Sequence, residues 1–325
     1  MRVLVFGGTR FVGRHVVGTL AARGHDVTCF HRGQNSCELP SGVREILGDR
    51  NEALPASLRE PWDAIVDVSG QRPDQLARSV DLHAGWYLFV STLNVYADLS
   101  KPNVNEESPT IIEFDPGDEA MAYGGNKAAC ERLVRDRFGG SATILRPGII
   151  VGRWDYTGRF SFWPRRALRG GRFVVPGPAS RPVQFADARD LAAFAALAIT
   201  QGISGAFNVA GPREPLNIGE LARTCVAGAA ERGIATEGVP ISSETLIAAR
   251  IEPWTDIPMW LEDPEFAGLF EVSHEKAVNA GLTHRSALDT VRALMGWLSE
   301  PESDLAAKPG LSEQREAELL QEFAC

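Results

Sequence analysis

Arg2-Val3-Leu4-Val5-Phe6 runs straight into Gly7-Gly8-Thr9-Arg10-Phe11-Val12-Gly13, and this junction decides the fold. A short, nearly unbroken apolar run suits a strand buried on both faces of a parallel sheet. Beyond the glycines, Val12, Val16 and Leu20 recur at helical spacing until Gly24, placed where a helix takes a left-handed cap. The order is therefore strand, glycine turn, helix. Glycines let the backbone turn tightly and approach a pyrophosphate, and the free amides and dipole of the helix start attract its negative charge. A dinucleotide diphosphate fits such a site. A glycine turn that serves only packing is the competing reading, disfavoured because strand and helix flank the motif as binding requires.

The second informative stretch is Tyr123-Gly124-Gly125-Asn126-Lys127. One helical turn brings the phenol and the ammonium to the same face. A free phenol titrates near pH ~10, and a cation fixed beside it favours the phenolate and lowers that value, which makes tyrosine a usable general acid or base. The spacing alone also describes an ordinary solvated helix face, so its meaning comes from the dinucleotide turn in the same chain.

With both motifs in view, the chain resembles the extended short-chain dehydrogenase/reductase superfamily, in particular its NAD-dependent epimerase/dehydratase family. The family turn Gly-x-x-Gly-x-x-Gly is matched at Gly7 and Gly13, with Arg10 in place of the middle glycine, as in a GGTR-type sub-branch. Phe89-Val90-Ser91-Thr92-Leu93-Asn94-Val95-Tyr96 is similar to the segment whose Ser or Thr completes the active site, which assigns that role to Thr92. The resemblance implies a catalytic set of Thr92, Tyr123 and Lys127, with Leu145-Arg146-Pro147-Gly148 passing beside the nicotinamide. It further implies that Asp49, with Arg50 next to it, contacts the adenine and that Asp67-Val68-Ser69-Gly70 covers the ribose and diphosphate. Gly7, Thr9, Arg10, Phe11, Val12, Gly13, Val68, Ser69, Gly70, Pro147 and Gly148 are thus expected around the cofactor. The implied chemistry is hydride transfer at a secondary hydroxyl or ketone of a sugar or nucleotide-linked sugar, with Tyr123 moving the proton, Thr92 holding the reacting oxygen and Lys127 binding the nicotinamide ribose.

Cofactor choice is written after the second strand, Val27-Thr28-Cys29-Phe30, where an acid would bond the adenosine ribose hydroxyls of NAD. His31-Arg32-Gly33 stands there instead, and a guanidinium pairs well with the extra phosphate of NADP. NADP is the expected cofactor, with Arg10 assisting, and NAD is the alternative if both arginines only face solvent.

After Gly148 the pattern changes. Residues 153–178 mix Trp154, Tyr156, Phe160, Phe162, Trp163 and Phe173 with Arg153, Arg159, Arg165, Arg166, Arg169 and Arg172. Aromatic faces beside cations suit a sugar or phosphate-bearing ligand, and packing aromatics with solvated arginines fit equally well. Arg153, Arg159, Arg181 and Asn94 are the candidate substrate contacts. Arg181 falls two residues ahead of the position where relatives carry a diphosphate-binding arginine, and Leu93-Asn94 replaces the Asp-Glu pair of sugar dehydratases, so elimination of water is not expected. Val183–Asp187, Asp190–Ala198 and Ala206–Gly211 read as the last elements of the dinucleotide domain. Asn217 to Glu220 reads as a capping box. The loop 252–261 closes on substrate or packs, residues 273–280 and 286–298 form helices, and His274 and His284 read as packing or surface residues.

The expected architecture is an α/β, doubly wound parallel sheet (Rossmann) from residues 1–150 and 183–211, a smaller substrate lobe from 151–182 and 212–300, and a tail, 301–325, docked on the body or a neighbouring subunit. A chain of 325 residues is long enough for both lobes. No stretch is apolar enough to span a bilayer and no leader precedes the first strand, so a soluble, cytoplasmic protein without membrane partners is expected. Five scattered cysteines argue against disulfides and a metal site. A net charge of −9 opposes nucleic-acid binding. Three functions remain open: an epimerase that regenerates its cofactor, an NADPH-consuming ketoreductase of a sugar or a non-sugar metabolite, and a non-catalytic dinucleotide- or RNA-associated protein resembling the chloroplast stem-loop binding proteins. The family resemblance also implies a homodimer.

Overall fold

The computed structural model describes residues 1–35, 37–305 and 308–323; Cys325, at the end of the tail, lies outside them. The chain opens with β1 (Arg2–Phe6), α1 (Phe11–Ala22), β2 (Asp26–His31), β3 (Arg44–Leu47), β4 (Trp62–Asp67), α2 (Pro73–Val80), β5 (Ala84–Val90), α3 (Glu119–Phe138) and β6 (Ala142–Pro147). It continues through β7 (Ile150–Val151), α4 (Phe162–Leu168), β8 (Gly171–Pro176), β9 (Pro182–Asp187), α5 (Ala188–Gln201), β10 (Gly205–Val209) and β11 (Gly211–Asn217). Then come α6 (Ile218–Ala230), β12 (Thr236–Ile241), α7 (Ser243–Ala248), α8 (Glu275–Asn279), α9 (Ala287–Trp297) and α10 (Glu313–Phe323). Seven strands form the central sheet in the order β10-β6-β5-β4-β1-β2-β3, with every neighbouring pair parallel.

The period of two in β1 explains how one strand serves two cores. Val3 and Val5 pack with Val16, Val17 and Leu20 of α1 and with Leu191 and Ala195 of α5. Leu4 and Phe6 turn to the other face, toward Leu76 and Val80 of α2 and Cys130 and Val134 of α3. Helices thus cover both faces, as a parallel sheet requires. Chain order reverses between β1 and β4, and the crevice beyond their carboxyl ends is where an open α/β sheet receives ligands.

The second lobe has its own core, in which Trp163, Phe173, Phe185, Leu221, Trp260 and Leu294 are buried together. Here the expectation for residues 183–187 is corrected. β9 is not a strand of the central sheet: it pairs parallel with β7 and antiparallel with β11 in a separate three-stranded sheet. Phe185 packs on Phe160 of the second lobe at 4.7 Å while Ala186 joins the first core, so β9 bridges the lobes. An apolar run reports burial but not which sheet supplies the partner.

The capping box at Asn217 and Glu220 is present in both directions and starts α6. The helix expected over 273–280 contracts to the short α8. The tail docks on this chain's own body, with Leu319 fully buried and Glu316 bonded to Arg166 of α4. At the tail's start, Glu302 accepts hydrogen bonds from Arg14 of α1 at 2.6 Å and from Trp154 at 2.9 Å. Among the described residues no helix is long and apolar enough to cross a membrane.

Candidate active site

A cleft of about 1160 Å³ opens at the carboxyl ends of β1 and β4 and extends to the second lobe. Its floor is the glycine turn. Gly7 has φ +89°, and a side chain there would collide with Ser69, while a Cβ on Gly13 would overlap the Gly7 carbonyl. Helix α1 starts at Phe11 with no side-chain cap and no acid in its first turn; the Arg10 carbonyl takes the Gly13 amide at 2.9 Å, which leaves the Phe11 and Val12 amides for an anion. Ser91 Oγ, also on the cleft wall, is buried without a hydrogen-bond partner. These features fit a dinucleotide: amides for the diphosphate and a spare hydroxyl elsewhere on the same wall.

Thr9, Arg10, Phe11, Val12, His31, Arg32, Asp49, Val68, Ser69, Gly70 and Gly148 all line this cleft. The Arg10 guanidinium lies 3.5 Å over the Tyr156 ring. Asp49 uses one oxygen to accept from the Asn51 amide at 2.8 Å. Two expected cofactor contacts are relocated. Pro147 is the buried last residue of β6 and is not on the wall. Arg50 reaches the cleft but is committed inward, donating to both oxygens of Asp67 at 2.8 and 2.6 Å and to Ser69 Oγ at 2.9 Å. Asp67 is fully buried at the end of β4 and also accepts from the Ser69 and Gly70 amides and the Tyr87 hydroxyl. Burial alone would raise its pKa, and the Arg50 guanidinium outweighs this and holds the carboxyl below its usual value. Arg50 therefore sets the shape of the 67–70 loop. Its charge is spent on a neighbour that sequence spacing does not reveal.

Thr92, just past β5, caps the 3-10 turn Leu93–Val95, its hydroxyl accepting from the Asn94 amide at 3.3 Å. Helix α3 can lie against this turn because Gly124 has no side chain: a Cβ there would overlap the Asn94 carbonyl, and one on Gly125 would enter the Phe114 ring. The two glycines between Tyr123 and Lys127 thus set the approach of the tyrosine to the threonine. Tyr123 is 46 % exposed and lines the same cleft wall as Thr92. Lys127 is 5 % exposed, and its Nζ donates to the carbonyls of Gly70 at 2.8 Å and Val90 at 2.6 Å.

The expected tuning of Tyr123 by Lys127 is corrected by this geometry. Burial pushes the Tyr123 pKa up; the nearby Thr92 hydroxyl opposes this, and the neighbouring cation that lowers it is Arg159. Lys127 is held on backbone carbonyls, and burial pushes its ammonium down to about 8. A helical turn placed both groups in one cleft, but the carbonyls at the ends of two strands took the amine.

Of the substrate candidates, Asn94 and Arg159 line the cleft and Arg153 and Arg181 do not. Arg153 pairs with Glu300 at 2.5 Å, and Arg181 donates to Leu261 O at 2.9 Å and Glu262 at 2.6 Å. Sequence reading passed over Asp155, Glu262 and Asp263, which share the wall with Trp254. Their signal was faint, since isolated acids in loops have no period.

The model of the family described as "NAD dependent epimerase/dehydratase family" matches residues 3–210, and the chain belongs to that family. Among curated proteins it is 25% identical over 209 residues to the chloroplast stem-loop binding protein of 41 kDa b of Arabidopsis thaliana, covering 59% of this chain and 53% of that one, about half its length. Among solved structures, UDP-N-acetylglucosamine 4-epimerase from Bacillus cereus superposes with TM-score 0.66 at 18% identity, over 94% of this chain and 100% of that one. A human epimerase family protein solved with NADPH gives 0.59 at 20% identity, over 91% and 99%. At such identities the structural likeness is one of fold.

Proposed function

We propose that this chain is a nicotinamide-dinucleotide-dependent oxidoreductase or epimerase acting on a secondary hydroxyl or ketone of a sugar-like substrate, with NADP preferred over NAD. The observation that carries the proposal is the meeting of Thr92, Tyr123 and Lys127 in one cleft with the uncapped start of α1. A nicotinamide, when bound, supplies or accepts a hydride, and the protein must move the accompanying proton on the substrate oxygen. Tyr123 gives or takes that proton, Thr92 holds the reacting oxygen through its hydroxyl, and Lys127 binds the nicotinamide ribose. The NADP preference is supported by Arg10 and Arg32 on the wall and by His31 where an acid would serve NAD.

Mass spectrometry of the denatured protein will identify any dinucleotide retained on purification. Stoichiometric loss of NADPH absorbance with a carbonyl substrate marks a reductase, whereas turnover without added cofactor marks an epimerase. Tyr123→Phe is expected to lower turnover by about 10²–10⁴ while leaving dinucleotide affinity intact. Unchanged turnover in that variant sinks the proposal.

A further inference from the structure

Residues 152–158, between β7 and α4, form a tightly held loop at the cleft. Asp155, 1 % exposed, accepts the Thr157 amide and the Thr157 hydroxyl on Oδ1 at 2.8 and 2.7 Å, and its own amide donates to the Gly152 carbonyl at 3.2 Å. The turn so closed carries Tyr156, 45 % exposed, between Asp155 and Thr157. Just before it, Trp154 has left-handed backbone, φ +67°, which a bulky residue keeps only where its surroundings over-determine it. Those surroundings come from other elements. Arg14 of α1 lies 3.9 Å over the indole, Glu302 of the tail accepts the indole N–H at 2.9 Å, and His15 Nε2 of α1 donates to the Arg153 carbonyl at 3.1 Å.

The loop is thereby fastened to α1, the helix whose start carries Arg10. Arg10 Cζ lies 3.5 Å from the Tyr156 ring centroid, which is van der Waals contact, and only a flat stack fits that distance. The Phe11 ring meets Tyr156 edge-on at 6.5 Å from the same turn. Arg10 and Tyr156 both line the cleft, beside Gly7 and Gly13. A guanidinium stacked by its face keeps its N–H edge open, and that edge is what pairs with a phosphate. Arg10 is exposed, and among the described residues no hydrogen bond or ion pair of its side chain holds it. An arginine free to move gives up its rotamer freedom on meeting an anion, which costs affinity, whereas one already stacked has little left to lose.

We propose that Tyr156 is a positioning residue for the dinucleotide: its ring, carried on a loop fastened to α1 and to the tail, holds the Arg10 guanidinium toward the cofactor's phosphates. This inference rests on the function proposed above and adds to it a residue that lies outside the glycine turn and the first lobe. Dinucleotide affinity then depends on the second lobe as well as on the turn after β1.

Fluorescence titration of the full chain with NADPH tests the inference through a double-mutant cycle. Tyr156→Ala is expected to weaken NADPH binding by about threefold to tenfold, and Tyr156→Phe, which keeps the ring, to recover most of that loss. In an Arg10→Met background Tyr156→Ala is expected to cost nothing further, because the ring acts only through the guanidinium; a ring that merely supports the loop would weaken binding in both backgrounds alike. Parental affinity in Tyr156→Ala, an equal loss with and without Arg10, or no recovery in Tyr156→Phe overturns the inference and leaves the dinucleotide reading standing. Failure of the parent chain to bind NADPH and NADH alike removes that reading and this inference together.

Discussion

At the scale of single residues, the site turns on where two cations went. Lys127 was placed by helical spacing on the face of Tyr123, yet its amine settled on the Gly70 and Val90 carbonyls with its pKa lowered by burial to about 8. An ammonium that titrates there holds an anionic ligand below that pH and releases its share of the attraction above it. Dinucleotide affinity, measured by fluorescence titration, is therefore expected to fall as pH rises through about 8, and Lys127→Met should weaken binding at pH 7 and flatten the profile. Under the proposed function, Arg32 on the cleft wall meets the extra phosphate of NADP. Arg32→Glu is expected to weaken NADP by tenfold or more, on the order of one charge-assisted pair, and to leave NAD binding nearly unchanged. Equal losses for both cofactors would show that Arg32 does not read the extra phosphate.

At the scale of elements, α3 is positioned by what it lacks. Alanine is the better helix former by about 1 kcal/mol, so propensity alone predicts that Gly124→Ala stabilises α3. Packing predicts the reverse, because the added Cβ would overlap the Asn94 carbonyl of the turn that Thr92 caps. The helix must then back away and carry Tyr123 from Thr92. Turnover is expected to drop by about 10² for a displacement near 1 Å, with far-ultraviolet circular dichroism unchanged. Turnover equal to the parent chain's would show that the close approach is not needed. Arg10 shows a similar dependence on a neighbouring element: it lies at the start of α1, and its face is covered by Tyr156 from the second lobe.

At the scale of the whole molecule, two cores are joined by β9 and by a tail that grips both α1 and α4. Buried carboxylates underlie this arrangement. Burial would raise the pKa of Asp67 and Asp187, but Arg50 and Arg189 outweigh it and hold both below their usual value. Groups so depressed stabilise the fold above about pH 4, the unfolded carboxylate value, and that contribution is lost as pH falls through the folded values. The protein is expected to unfold on acidification below that range. Asp67→Asn should cost about 3–5 kcal/mol at neutral pH, because it leaves Arg50 buried without its counter-charge, and denaturant titration at pH 7 and at a pH below about 4 will show a smaller loss on acidification than in the parent chain. A denaturation midpoint unchanged at pH 7 would show that the pair is not needed for stability. The local sequence determined what depends on neighbours along the chain: the β1 run, the glycine turn, the amphipathic α1, the capping box of α6 and the spacing of Tyr123 and Lys127. Those patterns carry their physics within one or two turns, so the family's dinucleotide architecture was legible from them. Only tertiary structure decided which sheet took β9, and that Arg50 faced Asp67 and Arg153 faced Glu300. Such pairings join residues far apart in sequence, and charge has no periodicity from which its partner could be read.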